Sequence, residues 1–230
     1  MEQPEKKQQS VKTINLDTAI LGENNRAAAE NRALLQASGV LALNLISSPG
    51  SGKTTLLVET LQALQGELHC AVIEGDQQTD RDARRIAATG VPVVQINTRQ
   101  ACHLDAFQVQ QALQEFKPQA LDVLFIENVG NLVCPAEFDL GEAEKVVLMS
   151  ITEGEDKPIK YPLAFHLASV FVLTKMDLLP HLRFDLEVCK AFAHRVNPHQ
   201  LILETSSFRT DGINAWLDWL RMKVKKLESE

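Results

Sequence analysis

What the chain lacks narrows it before any motif is read. Its 230 residues contain no uninterrupted apolar run of the ~18 residues that a membrane-spanning helix requires, so no membrane partner is expected. Clusters of Lys and Arg are missing and the formal net charge is -7, which argues against nucleic acid, whose binding rests on neutralising phosphates. The opening segment MEQPEKKQQSVKT is charged and glutamine-rich and lacks the hydrophobic core of a signal peptide, which predicts a cytoplasmic protein. In that reducing compartment Cys70, Cys102, Cys134 and Cys189 stay thiols, and no C-x-x-C joins any two of them. No repeat, low-complexity tract or linker divides the sequence, whose 45% hydrophobic content suits one soluble enzyme-sized domain.

From Val40 onward, apolar runs alternate with helical patterns. Strands are predicted at Leu41 to Ile46, Cys70 to Ile73, Val91 to Ile96, Val123 to Ile126, Val146 to Ile151, Val170 to Leu173 and Leu201 to Leu203. Runs that are apolar at nearly every position suit strands covered on both faces, hence a three-layer α/β fold with a mostly parallel sheet. Upstream, Leu16 to Ser38 reads as a helix ended by Gly39, with Leu16, Ile20, Leu21, Leu34 and Leu35 available to dock on a sheet face. Residues before about Thr13 are polar enough to be disordered. The expected division is therefore residues 1–39 as an N-terminal tail and helix, and 40–230 as the α/β domain.

The segment Leu43 to Thr55, LNLISSPGSGKTT, passes from an apolar strand into a glycine-bearing loop and a Lys-Thr pair. Small residues let backbone N–H groups converge on an anion, a lysine reaches the β and γ phosphates, and a hydroxyl ligates Mg²⁺. Gly50, Ser51, Gly52, Lys53, Thr54 and Thr55 form this cradle, and the helix beginning near Lys53 turns its positive end toward it. Ser47 stands where the generic phosphate-loop pattern has its first glycine.

Ligands in such sheets sit beyond the strand C-termini. Glu74-Gly75-Asp76 follows the second strand and Glu127-Asn128-Val129-Gly130 the fourth, so Asp76 and Glu127 are candidates to join Thr54 around Mg²⁺. Gly130 can bring its backbone N–H to a γ-phosphate, which makes Glu127 to Gly130 the expected switch. Lys53, Asp76 and Glu127 are the catalytic candidates, with Asp76 as water-orienting group because no glutamine stands beyond the switch glycine. After the sixth strand, Thr174-Lys175-Met176-Asp177 resembles N-K-x-D with Thr174 in place of the asparagine. The Asp177 carboxylate can accept two N–H bonds from the guanine edge, a pairing adenine does not offer, which argues for GTP; the Lys175 stem can lie along the base. Thr205-Ser206-Ser207 is a further candidate for packing beside the base.

Cys102-His103 lies in a polar loop after the third strand, and Cys134 lies four residues beyond Gly130. Two thiolates and an imidazole suit Zn²⁺ or Ni²⁺, tetrahedral for the first and square-planar for the second, with a position left open or shared. A ligand on the switch peptide would move with the nucleotide. Cys70 and Cys189 sit among apolar neighbours as small core residues, the remaining histidines are scattered singly, and Trp216 and Trp219 make an apolar face on the last helix.

With SSPGSGKTT, EGD, ENVGNLVCP, TKMDLL and the Cys-His pair in this order, the chain resembles the HypB family over roughly Leu16 to the C-terminus. The resemblance implies a SIMIBI-type P-loop GTPase that binds GTP and Mg²⁺, hydrolyses GTP, forms a homodimer when GTP-bound, and holds zinc or nickel on Cys102, His103 and Cys134 at the interface; the missing water-positioning glutamine predicts that this hydrolysis is slow. It also implies nickel insertion into [NiFe]-hydrogenase, with a hydrogenase maturation chaperone and the hydrogenase large subunit as partners. The tail has neither the clustered cysteines nor the histidine-rich store of some relatives, so a second nickel site is not expected. The alternatives weighed are a urease-type nickel GTPase, an ATP-dependent small-molecule kinase, and a non-enzymatic metal buffer on the same fold.

Overall fold

The computed structural model describes residues 16–209, 211–227 and 229. The segment before Thr13, expected to be disordered, lies outside them. Seven strands, β1 (Leu41–Ser47), β2 (Cys70–Asp76), β3 (Val93–Asn97), β4 (Val123–Gly130), β5 (Glu144–Ser150), β6 (Val170–Thr174) and β7 (Leu201–Glu204), form one sheet in the order β3-β2-β4-β1-β5-β6-β7. Every neighbouring pair is parallel. All seven expected strands are present, and β2, β4 and β6 run on past their apolar runs to carry Asp76, Gly130 and Thr174. Parallel pairing makes those extra residues possible: once the buried middle of a strand is paired, its polar C-terminal residues continue the ladder.

Alternation along β1 shows how the layers form. Leu41, Leu43 and Leu45 join a core with α2 (Lys53–Ala63) and α9 (Asn214–Leu227), where Trp216 stacks on Trp219 and its indole N–H donates to Thr60 at 2.9 Å. On the other face Ala42 belongs to a cluster with α4 (Ala106–Leu113), and Ile46 to one with α7 (Pro162–Leu167) and α8 (Leu186–Val196). Burial on both faces explains why the strands read as near-continuous apolar runs. Cys70 and Cys189 are core residues, their thiols pushed up to about 12 by burial.

Helix α1 (Leu16–Ala37) ends as expected before Gly39, whose φ of 69° is the left-handed cap conformation. Its docking differs from the apolar reading. Leu35 is buried but Leu34 is exposed, and the helix is fixed to the domain largely by amides: Asn24 donates to the Asp139 carbonyl at 2.8 Å, and Asn31 donates to the Ala106 and Leu140 carbonyls at 2.9 and 3.0 Å. Arg32 adds an ion pair to Asp139. The side chains of Leu16 and Ile20 lie outside those described. No helix among the described residues is long and apolar enough to cross a membrane.

Candidate functional site

The loop between β1 and α2 turns on two glycines, Gly50 at φ 74° and Gly52 at φ 93°, a conformation that costs an L side chain about 1–2 kcal/mol. It opens onto a cavity of about 600 Å³ walled by Gly50 to Thr55, Glu74 to Gln77, Glu127 to Gly130, Thr174 and Lys175. Every cradle residue named from the sequence is on this wall, as are Asp76, Glu127, Gly130 and Lys175. Gly130 packs closely: a Cβ there would lie 3.1 Å from the Pro49 backbone, so a side chain would require the loop after β1 to give by a few tenths of an ångström.

The carboxylate of Glu127 is buried and accepts from the Thr54 hydroxyl at 2.6 Å, with the Lys53 ammonium 3.5 Å away. Its second oxygen has no protein partner, and neither has one oxygen of Glu74, which is buried beside it on the adjacent strand in register. Two buried carboxylate oxygens without partners next to a threonine hydroxyl are an oxygen-rich set that suits a hard cation or its water shell. Glu74 is the acid that sequence reasoning passed over in favour of Asp76. Burial, then the neighbouring charges of Glu127, Asp76 and Asp82, raise its carboxyl to about 8, with Lys53 opposing. Its signal was the terminal polar residue of an apolar strand facing Glu127, which becomes visible only with the strand order known.

Asp76 is more exposed, its Oδ1 accepting from the backbone N–H of Gln78 at 2.7 Å and Thr79 at 3.1 Å. Arg85, also missed, reaches across from α3 (Arg81–Ala87) to donate to the Thr55 hydroxyl at 3.1 Å. On the far side Thr174 donates to the Ser51 carbonyl at 2.5 Å and Lys175, held at φ 60°, donates to the Gly50 carbonyl at 2.7 Å. The threonine that replaces the usual asparagine thus ties the TKMD turn to the loop between β1 and α2. Asp177 follows on a short 3-10 helix, Met176–His181, off the cavity wall; it accepts from the Ser206 hydroxyl at 2.5 Å, while Ser207 and Phe208 reach the wall.

Cys102, His103 and Cys134 come together. One ligand atom from each lies within 4.8 Å of the others, with Sγ of Cys102 2.7 Å from Sγ of Cys134. Cys134 begins the short helix α5 (Cys134–Glu137), and His103 packs on Phe138 at 3.8 Å between ring centroids. The hydrogen bond to Cys134, then burial, then the charge of Cys134, raises the Cys102 thiol. Burial lowers His103, with Asp105 and Glu137 opposing, which keeps the imidazole neutral and its lone pair free near neutral pH. Soft sulfur and imidazole donors suit a borderline transition metal.

The parallel sheet and the glycine-lysine loop after β1 define the class as a P-loop nucleoside triphosphatase fold, of the SIMIBI type. Signal recognition particle receptor FtsY of Elizabethkingia anophelis shares that fold at a TM-score of 0.53 and 14% identity. Residues 41–204 match the family described as CobW/HypB/UreG, nucleotide-binding domain. Within it the chain is 56% identical over 207 residues to hydrogenase maturation factor HypB of Azotobacter chroococcum mcd 1, covering 90% of this chain and 68% of that one. It is 54% identical to the Escherichia coli K12 HypB, covering 90% and 71%. The crystal structure of HypB from Helicobacter pylori in complex with nickel superposes at a TM-score of 0.84 with 38% identity, covering 89% of this chain and 96% of that one. The chain belongs to the HypB family, as the motifs implied.

Proposed function

We propose that the chain is a GTP-hydrolysing metallochaperone that delivers nickel during [NiFe]-hydrogenase maturation. One observation carries the reading: Glu127, bonded to the phosphate-loop threonine, and Cys134, a member of the metal-ligand cluster, lie seven residues apart on one segment. Relatives named hydrogenase maturation factor, and one solved with nickel, give the reading its cargo and its pathway. A 42% identical relative in Helicobacter hepaticus is named hydrogenase/urease maturation factor, which supports urease as a second nickel destination for this chain.

In this reading residues 40–230 are the GTPase domain and 1–39 an extension, and the protein works in the cytoplasm. Gly50 to Thr55 and Gly130 hold the phosphates by backbone N–H groups and the Lys53 ammonium, while Lys175 and Asp177 read guanine. Thr54, Glu127 and Asp76 would hold Mg²⁺, which would neutralise phosphate charge. Lys53 stabilises charge on the transferred phosphate and Asp76 orients water, a weaker positioning than a glutamine gives, so turnover is slow. The γ-phosphate holds Glu127 to Gly130 and promotes homodimerisation; Cys134 then takes a different place relative to Cys102 and His103, and hydrolysis reverses it. Nickel is the cargo and zinc a resident alternative, handed on to a maturation chaperone and the hydrogenase large subunit.

Nickel and zinc titration of wild type and Cys134→Ala, each with GDP or non-hydrolysable GTP, tests this. The expected result is one tight metal per chain whose affinity differs between nucleotides, lost in the variant. Equal nickel affinity in the two states would sink the reading.

A further inference from the structure

The two sites meet through buried side chains as well as along the backbone. On the face of the sheet opposite Glu127, Asn128 of β4 and Asn44 of β1 interrupt two otherwise apolar strands. Both are almost wholly buried, where an amide without partners is destabilising. Neither lacks partners. Asn128 Oδ1 accepts from the backbone N–H of Leu104 at 3.1 Å and of Val129 at 3.0 Å, and its Nδ2 donates to Asn44 Oδ1 at 3.2 Å. Asn44 Nδ2 donates to Glu142 at 3.1 Å, and Glu142 pairs with Lys145 at 3.4 Å. The Lys145 ammonium donates to the carbonyls of Ala136 at 2.9 Å and Phe138 at 3.3 Å.

The two ends of this chain of bonds lie beside the two halves of the cluster. Leu104 follows His103 directly, and Ala136 lies within the helix that begins with Cys134, with Phe138 at its C-terminal cap. The middle, Asn128, is the residue next to Glu127. Leu104 is also pinned from the nucleotide side: a Cβ on Gly75, between Glu74 and Asp76, would lie 2.8 Å from its side chain, so only a glycine lets the two segments touch.

We propose that Asn128 is the positioning residue through which the nucleotide end of β4 sets the spacing of Cys102 and His103 against Cys134. This rests on the metallochaperone reading and names the parts by which its switch reaches the metal. A shift of β4 when the γ-phosphate engages Glu127 to Gly130 carries Asn128 with it. The Leu104 N–H follows, because a buried donor keeps its acceptor, and the Cys102-His103 loop moves with it. Through Asn44, Glu142 and Lys145 the helix of Cys134 is held to β1, which belongs to the fixed cradle. The Cys102-His103 half of the cluster therefore follows β4 through Asn128, while the Cys134 half, which continues β4 along the backbone, is restrained by its tie to β1, so the two halves move by different amounts. By linkage the metal biases nucleotide binding through the same bonds.

The test is the ratio of nickel dissociation constants in the GDP and non-hydrolysable GTP states. Wild type is expected to show a ratio of about fivefold or more, the lower end of ordinary coupling between sites. Asn128→Ala, with nickel still binding in both states, is expected to bring the ratio to within about twofold of unity, a loss that mere loosening of the fold, which weakens both states together, does not produce. Lys145→Met, which cuts only the brace on the Cys134 helix, is expected to give an intermediate ratio and decides the matter if Asn128→Ala does not fold. Full wild-type coupling in either folded variant overturns the role of Asn128 while leaving the metallochaperone reading in place. A wild-type ratio of unity overturns both.

Discussion

The nucleotide cradle and the metal cluster are built in opposite ways. The cradle is one continuous stretch, Pro49 to Thr55, whose backbone supplies the donors and whose glycines supply the curvature. The cluster is three side chains from two loops after β3 and β4, and its ligands converge only because β2 lies between those strands and lets their C-terminal loops fold toward each other. A backbone site of the first kind tolerates change at most side chains and fails at one or two. A side-chain site of the second kind depends on each ligand.

Predictions that separate the two run from large to small. Lys53→Ala removes the cation beside Glu127 and is expected to lower GTP turnover by roughly 10²–10³-fold, read by phosphate release, while one nickel per chain still binds. Cys134→Ala is expected to weaken nickel by about 100-fold in isothermal titration, with GTP affinity measured in the absence of metal unchanged; a loss of GTP under those metal-free conditions would show that the sites are not separable. Asp177→Asn exchanges the acceptor proposed for the guanine N–H groups and is expected to weaken GTP by roughly 10- to 100-fold against ATP in competition binding.

A smaller effect tests the electrostatics of the cradle alone. In the folded, nucleotide-free protein the Glu74 carboxyl is raised from 4.5 to about 8 by burial and neighbouring acids. A raised carboxyl contributes its stability below the unfolded value and loses it as pH rises through the folded one, because the unfolded chain releases the proton more readily. Glu74→Gln is therefore expected to match wild type near pH 5 and to exceed it at pH 8, by an order of 2–4 kcal/mol, as a thermal shift measured without Mg²⁺. Equal shifts at both pH values would remove Glu74 from the charge cluster.

The cluster reads less directly from the sequence than the cradle, for physical reasons. Gly50, Gly52, Lys53 and Thr54 are local, so spacing alone discloses them. Cys102 and Cys134 are 32 positions apart with no C-x-x-C between them, and only loop polarity, the switch glycine nearby and the family motif joined them. Glu74 and Asn128 stood in view inside EGD and ENVG, yet their partners, Glu127 across the strand pair and Leu104 and Asn44 across the sheet, are set by strand order. Helix α1 was legible in extent from Leu16 to Gly39, but its docking by Asn24 and Asn31 was not, since a polar residue reads as surface until its carbonyl partners are known.

By itself the sequence determined the elements: seven strands from largely apolar runs, a glycine-lysine loop between the first strand and its helix, and the turn that carries TKMD. These follow from local rules, in which a residue's neighbours along the chain set its conformation. Tertiary structure alone decided which polar residues share a space. The order β3-β2-β4-β1 sets Glu74 against Glu127 on one face of the sheet and Asn128 against Asn44 on the other, and it closes Cys102 and His103 on Cys134. Burial then fixes those contacts, because a polar group removed from water must find its partner within the fold.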